Sequence, residues 1–148
     1  MKIYKYLLYV LFVLALTYAA IYLGFGHLSI YWQVQSLLFT LIGWLIPTIF
    51  LVGVKETMEH YQRAFSSQKL LAVNQSYFRG MSIYLVSLGM AGLLIGIINM
   101  MTNLESREQI GENLAFALLS LLYNLVWALI VSIPFWAFGK SAEQKADS

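Results

Sequence analysis

The chain has 148 residues, of which 60% are hydrophobic and only 11% charged; a water-soluble domain carries about 25% charged residues, so an integral membrane protein is expected. A net charge of +2 without a basic, aromatic-interleaved patch excludes nucleic acid as a partner. The absence of cysteine excludes a disulfide framework and thiol chemistry, and two histidines and seven carboxylates scattered through the loops leave no metal or acid–base centre to expect.

A membrane helix needs about 20 mostly apolar residues, and four stretches qualify. The first, Tyr6–Leu23, follows Lys2 and Lys5 and contains Thr17-Tyr18-Ala19, which resembles a signal-cleavage site. Apolar residues continue through Ala20, Ile21, Tyr22 and Leu23, so an uncleaved helix is expected. The second, Leu28–Val54, contains Pro47, a candidate kink or hinge. Residues 55–79 are polar, with Glu59 and Arg63 one turn apart and Met58, Tyr61, Phe65 and Leu70 in a loose helical stripe. The second helix is expected to run on through this segment and to break near Asn74-Gln75-Ser76.

The third stretch, Gly80–Leu104, carries Gly89, Gly92, Gly96, Asn99 and Asn103 at helical spacing. After the acidic loop Glu105–Glu112, the fourth runs Asn113–Gly139 and holds Pro134, a second hinge candidate. On it, Asn113, Ala117, Ser120, Leu121, Asn124, Ala128 and Ser132 fall within one arc of about 120°. No linker divides the chain, so residues 1–148 are expected to form one membrane domain.

Eight of the nine Lys and Arg residues (Lys2, Lys5, Lys55, Arg63, Lys69, Arg79, Lys140 and Lys145) fall on one side of these spans, and only Arg107 on the other. Positive residues stay in the cytoplasm, so both termini and the middle segment are expected there. Tyr4, Tyr6, Tyr31, Trp32, Tyr77 and Trp136 near the span ends suit interfacial anchoring. His27 and His60 fall on opposite sides of the bilayer and read as solvated surface residues, so no enzyme, metal site or cofactor is expected.

Small and polar stripes on membrane helices serve either as contact surfaces between helices or as the wall of a path. Glycine permits close backbone approach, and Asn and Ser hydrogen-bond across helices at about 0.6 kcal/mol on average. No Asp, Glu, Lys or Arg lies inside any of the four spans. If ions move through an assembly of this chain, another protein must supply the carboxylate that carries them.

The run Gly89-Met90-Ala91-Gly92-Leu93-Leu94-Ile95-Gly96-Ile97-Ile98-Asn99-Met100-Met101-Thr102-Asn103-Leu104 resembles the third membrane helix of the MotA/TolQ/ExbB proton-channel family. Ile110-Gly111-Glu112-Asn113-Leu114-Ala115-Phe116-Ala117-Leu118-Leu119-Ser120-Leu121-Leu122-Tyr123 resembles the start of its fourth, and Pro134 stands where the flagellar stator branch has a proline. The resemblance implies an all-α integral membrane protein of the bacterial inner membrane, assembled as a homo-oligomeric ring of five. The ring would surround a single-span partner of the MotB/TolR/ExbD type whose aspartate takes up and releases the ion. The third and fourth helices would wall the path, which makes Ser87, Gly92, Leu93, Gly96, Asn99, Ala117, Ser120, Leu121, Asn124 and Ala128 the pore-lining candidates.

Two departures bear on mechanism. The family's usual threonines in the third and fourth helices fall on Leu93 and Leu121, and the stator's early third-helix proline falls on Val86. Leucine neither hydrates nor hydrogen-bonds an ion; Ser87, Ser120 and Asn124 are the substitutes on offer. The middle segment is far shorter than a rotor-contacting domain, so torque on a flagellar rotor is not expected. The expected function is an ion-driven, force-transducing ring subunit; the alternative is a non-conducting membrane scaffold of the same family.

Overall fold

A computed structural model describes residues 3–23, 31–66, 74–102, 104 and 106–146, with side chains up to Lys140. Among the described residues every regular element is helical: α1 Ile3–Leu23, α2 Val34–Pro47, α3 Val54–Ser66, α4 Gln75–Thr102, α5 Arg107–Val131 and α6 Ile133–Ala146. A π-helical turn, Thr48–Val52, extends α2. Four stretches are long and apolar enough to cross a membrane: Ile3–Leu23, Val34–Val52, Gln75–Thr102 and Arg107–Val131.

The boundaries depart from expectation where backbone chemistry intervenes. The second helix does not run on into the polar segment. It stops at Gly53, whose φ of 89° is cheap only for glycine, and α3 starts afresh at Val54. The expected break near Asn74 coincides with the start of α4. The fourth helix starts at Arg107, six residues before the apolar run, because Ser106 accepts a hydrogen bond from the Gln109 amide in the Ser-x-x-Gln pattern of a capping box. It is also not continuous to Gly139: it ends at Val131, and α6 begins beyond Ser132 with Pro134 in its first turn, where the missing N–H costs little.

Both prolines are accommodated in the same way. Pro47 cannot donate to the carbonyl of Gly43, four residues earlier, and the Tyr84 hydroxyl of α4 donates to it at 2.9 Å. Pro134 cannot donate to Ile130, whose carbonyl accepts the Tyr6 hydroxyl of α1 at 3.2 Å. Tyr61 donates to the next carbonyl, Val131, at 2.9 Å. In an apolar medium a freed carbonyl needs such a donor.

Helices α4 and α5 pack antiparallel and make the most extensive contact in the molecule, with α2 laid against both. At the α3 end, Tyr6, Tyr61, Phe65, Phe78 and Phe135 interlock edge to face, tilted or, for Phe78 on Phe135, stacked, with centroids 4.8–5.4 Å apart. Tyr6 and Tyr77, expected as interfacial anchors, are drawn into this cluster or its border, whereas Tyr4 and Trp32 are exposed.

On α3, the Glu59–Arg63 pair forms at 2.9 Å on the exposed face. The buried positions are Thr57 and Ala64; Met58 points outward, and Leu70 lies outside the described residues. His60 is not a freely solvated residue. Its ring stacks on Tyr77 at 4.2 Å, and its Nδ1 lies 3.1 Å from Asn74 Oδ1. His27 lies outside the described residues.

Candidate functional site

The two small-residue stripes face each other. A Cβ placed on Gly96 would lie 2.5 Å from Ala117 Cβ and 2.7 Å from its Cα; on Gly92, 2.6 Å from Ser120 Cβ; on Gly89, 3.0 Å from Asn124 Cβ. Further along, Leu85 and Ala128 share a core cluster, the Ser82 and Ser132 hydroxyls lie 2.9 Å apart, and Phe78 stacks on Phe135. Each step moves three or four residues back on α4 and three or four forward on α5 and into the start of α6, one unbroken register. Glycine permits this approach because the backbones close to a distance at which a side chain on α4 would strike the α5 backbone.

Polar side chains are sealed into this seam and the groove beside it. Ser120 and Asn124 are fully buried. Asn124 Nδ2 donates to Thr40 Oγ1 of α2 at 3.0 Å and to the Ser120 carbonyl at 2.8 Å. Thr40 Oγ1 in turn donates to the Ser36 carbonyl, and Ser36 Oγ reaches the Phe116 carbonyl at 3.3 Å. Asn124 Oδ1 and Ser120 Oγ are left without a hydrogen-bond partner. Ser120 Cβ and the Phe39 ring crowd the same point beside Gly92, and neither Ser120 nor Asn124 lines the cleft between α1, α2 and α5 or the one beside Pro47.

Of the ten pore-lining candidates, Gly92, Gly96, Ala117, Ser120, Asn124 and Ala128 are buried within the chain, at the α4–α5 seam or against α2. Ser87 and Asn99 are exposed on α4, and Leu93 and Leu121 are half-buried. Asn103 lies outside the described residues. The hinge candidates Pro47 and Pro134 are both buried, each beside its tyrosine-satisfied carbonyl.

Helix α2 touches α4 through Tyr84, Leu88 and Gly92. At about 100° per residue, Leu93 lies one step further round, on the opposite flank of the seam. Leu121 lies one step past Ser120 in the same sense on α5 and leans on Gly89. Val86, Met90, Leu114, Leu118 and Leu125 are exposed on this same flank. The α4–α5 pair thus presents an open aliphatic face away from α2, and the two leucines border it.

A stripe on α2 escaped sequence reading. Ser36, Thr40, Gly43 and Pro47 are all buried and spaced four, three and four apart. The signal was the same small-and-polar periodicity found on α4 and α5, diluted by neighbouring Leu, Ile and Trp.

Residues 53–147, well over half of the chain, match the MotA/TolQ/ExbB proton channel family. The chain belongs to this family. Motility protein A of Aquifex aeolicus (strain VF5) is 28% identical over 109 residues, a match covering 74% of this chain and 42% of the relative. The chain thus spans well under half the length of that relative. No solved structure matches it. The MotA/TolQ/ExbB match takes in α3 to α6, among them α4 and α5, which build the seam and its aliphatic face.

Proposed function

We propose that the chain is a ring-forming subunit of an ion-driven, force-transducing complex in the bacterial inner membrane. Five copies would enclose a single-span partner of the MotB/TolR/ExbD type, with the α4–α5 aliphatic face turned to the partner's helix. Both termini and residues 55–79 would lie in the cytoplasm, and residues 1–148 would form a single membrane domain. The observation that carries this reading is the glycine-interlocked α4–α5 pair within the region matching the family. Such a pair makes a stiff wall whose open side is free to slide on another apolar helix.

In this reading the proton or sodium ion rides on the partner's aspartate, since the described membrane spans contribute no carboxylate of their own beyond Glu108 and Glu112 at the start of α5. Ser87, about 60° round α4 from Met90, is the exposed polar group beside the open face that a passing ion would meet; Asn99 lies in line with Gly92 on the side toward α2. The buried glycines, Ala117, Ser120, Asn124 and Ala128 hold the wall in shape and do not coordinate.

One observation favours a second reading, a non-conducting scaffold: the flank where the family's threonines fall carries Leu93 and Leu121, and the seam's polar atoms are sealed off from it. Co-reconstitution with the single-span partner in liposomes separates the two. A driven complex gives proton or sodium flux, raised by Leu121→Thr; a scaffold gives none even after that substitution.

A further inference from the structure

Helix α1 is fastened at one end only. Near its start, Tyr6 packs on Phe65 and Phe135 and donates to the Ile130 carbonyl. Along the rest of its length only Val13 is buried. Towards its other end α1 stands off from the bundle and leaves a cleft of about 270 Å³ against α2 and α5. Thr17 and Ile21 form one wall, Leu37 and Leu41 a second, Leu122 and Val126 the third.

The chemistry of these walls selects the occupant. Three hydroxyls along the cleft are already committed: Thr17 to the Val13 carbonyl, Thr40 to the Ser36 carbonyl and Asn124, and Tyr123 to the Tyr31 carbonyl. Water needs two to four polar partners to settle in a cavity, and an apolar cavity of about 150 Å³ stays dry and takes up hydrocarbon. The larger cleft here is walled almost wholly by carbon, which gives water few partners. It lies between three spans of membrane length and is only partly enclosed, so the hydrocarbon within reach is that of the bilayer.

We propose that this cleft binds one acyl chain of a membrane phospholipid, held as a wedge between α1 and the α2–α5 pair. The chain keeps α1 off α2 and covers the outer side of Thr40, whose inner side receives the Asn124 amide. The site requires only that these helices span a bilayer; it does not depend on ion flux, a ring or a partner.

The test uses the full chain in phosphatidylethanolamine–phosphatidylglycerol vesicles containing a phosphatidylethanolamine with a diazirine in its acyl chain. Cross-links are mapped by mass spectrometry after illumination. Leu37, Leu41, Leu122 and Val126 should be labelled several-fold more than Leu8 and Leu11, which are exposed on α1. Val126→Trp, and independently Leu41→Trp from the opposite wall, should bring cleft labelling down to that of Leu8 and Leu11 while leaving those two unchanged. Cleft labelling at or below the Leu8 and Leu11 level in the unsubstituted chain overturns the proposal, whether α1 has closed on α2 or another copy covers the cleft. So does labelling that survives both tryptophan substitutions.

Discussion

The Tyr84 hydroxyl lies 2.9 Å from the Gly43 carbonyl, the acceptor that Pro47 leaves without its helical donor. The Thr48 amide bonds to Leu45, and the chain then widens into a π turn, so the donor to Gly43 comes from α4. Tyr84→Phe leaves that carbonyl bare in an apolar setting. An unsatisfied buried acceptor costs about 1–3 kcal/mol, and hydrogen bonds between membrane helices sit at the low end, about 0.6 kcal/mol on average. A loss of about 1 kcal/mol is expected from equilibrium unfolding in detergent. Pro47→Ala supplies an N–H to Gly43, so the Tyr84→Phe penalty should shrink in that background.

Close approach at Gly96 gives a sharper effect. An added methyl would meet the Ala117 backbone at 2.7 Å, and backbone cannot yield as a side-chain tip does. Gly96→Ala is expected to destabilise by about 1–3 kcal/mol, the usual cost of overpacking. Gly80→Ala and Gly111→Ala, where nothing lies within 4 Å, should leave the thermal midpoint unchanged or slightly raised. Equal losses at all three positions would show that α4 and α5 do not interlock as described.

The Asn124–Thr40 bond ties α5 to α2. A double-mutant cycle with Asn124→Ala and Thr40→Val should return a coupling energy of about 0.6 kcal/mol, the average for hydrogen bonds between membrane helices, and at most about 1.7 kcal/mol. Zero coupling would mean the two side chains do not meet.

Burial pushes the Tyr61 hydroxyl well above the ordinary tyrosine range, with Tyr77 and Tyr6 adding to the shift. Below about pH 10, the unperturbed value, folded and unfolded chains both keep this proton, and the stability it supports is fully present. As the pH climbs above that point, the unfolded chain releases the proton and the folded chain holds it, so stability falls steadily. Unfolding followed from pH 8 upward should show this decline, and Tyr61→Phe should flatten it while losing the bond to Val131 at every pH.

Much of the fold was legible because lipid imposes simple rules. Four apolar runs became four helices long and apolar enough to cross a membrane, and the stripes on α4 and α5 are where their glycines, alanines and serines placed them. What a stripe faces was not legible, since the same spacing serves a helix contact and a pore wall alike. Gly92 and Ser120 meet each other, so this part of the two stripes serves a contact between α4 and α5. Element ends followed local backbone chemistry that hydropathy does not register: the positive φ of Gly53 and the Ser106 cap. The partners of the two prolines, Tyr84 and Tyr6, lie 37 and 128 residues away from them in sequence, and no local pattern names them.

The chain contains no cysteine, so single thiols report cleanly on which residues the membrane assembly leaves open. The most direct measurement compares Ser120→Cys, a near-isosteric change inside the seam, with Leu121→Cys on the flank beyond it. The rate of modification by a small water-soluble thiol reagent is followed in native membranes without the partner. If the polar stripes close on each other and the leucine flank borders the path, Leu121→Cys reacts at least tenfold faster than Ser120→Cys. Reaction of Ser120→Cys as fast as Leu121→Cys would contradict this and put the seam residues on the path itself.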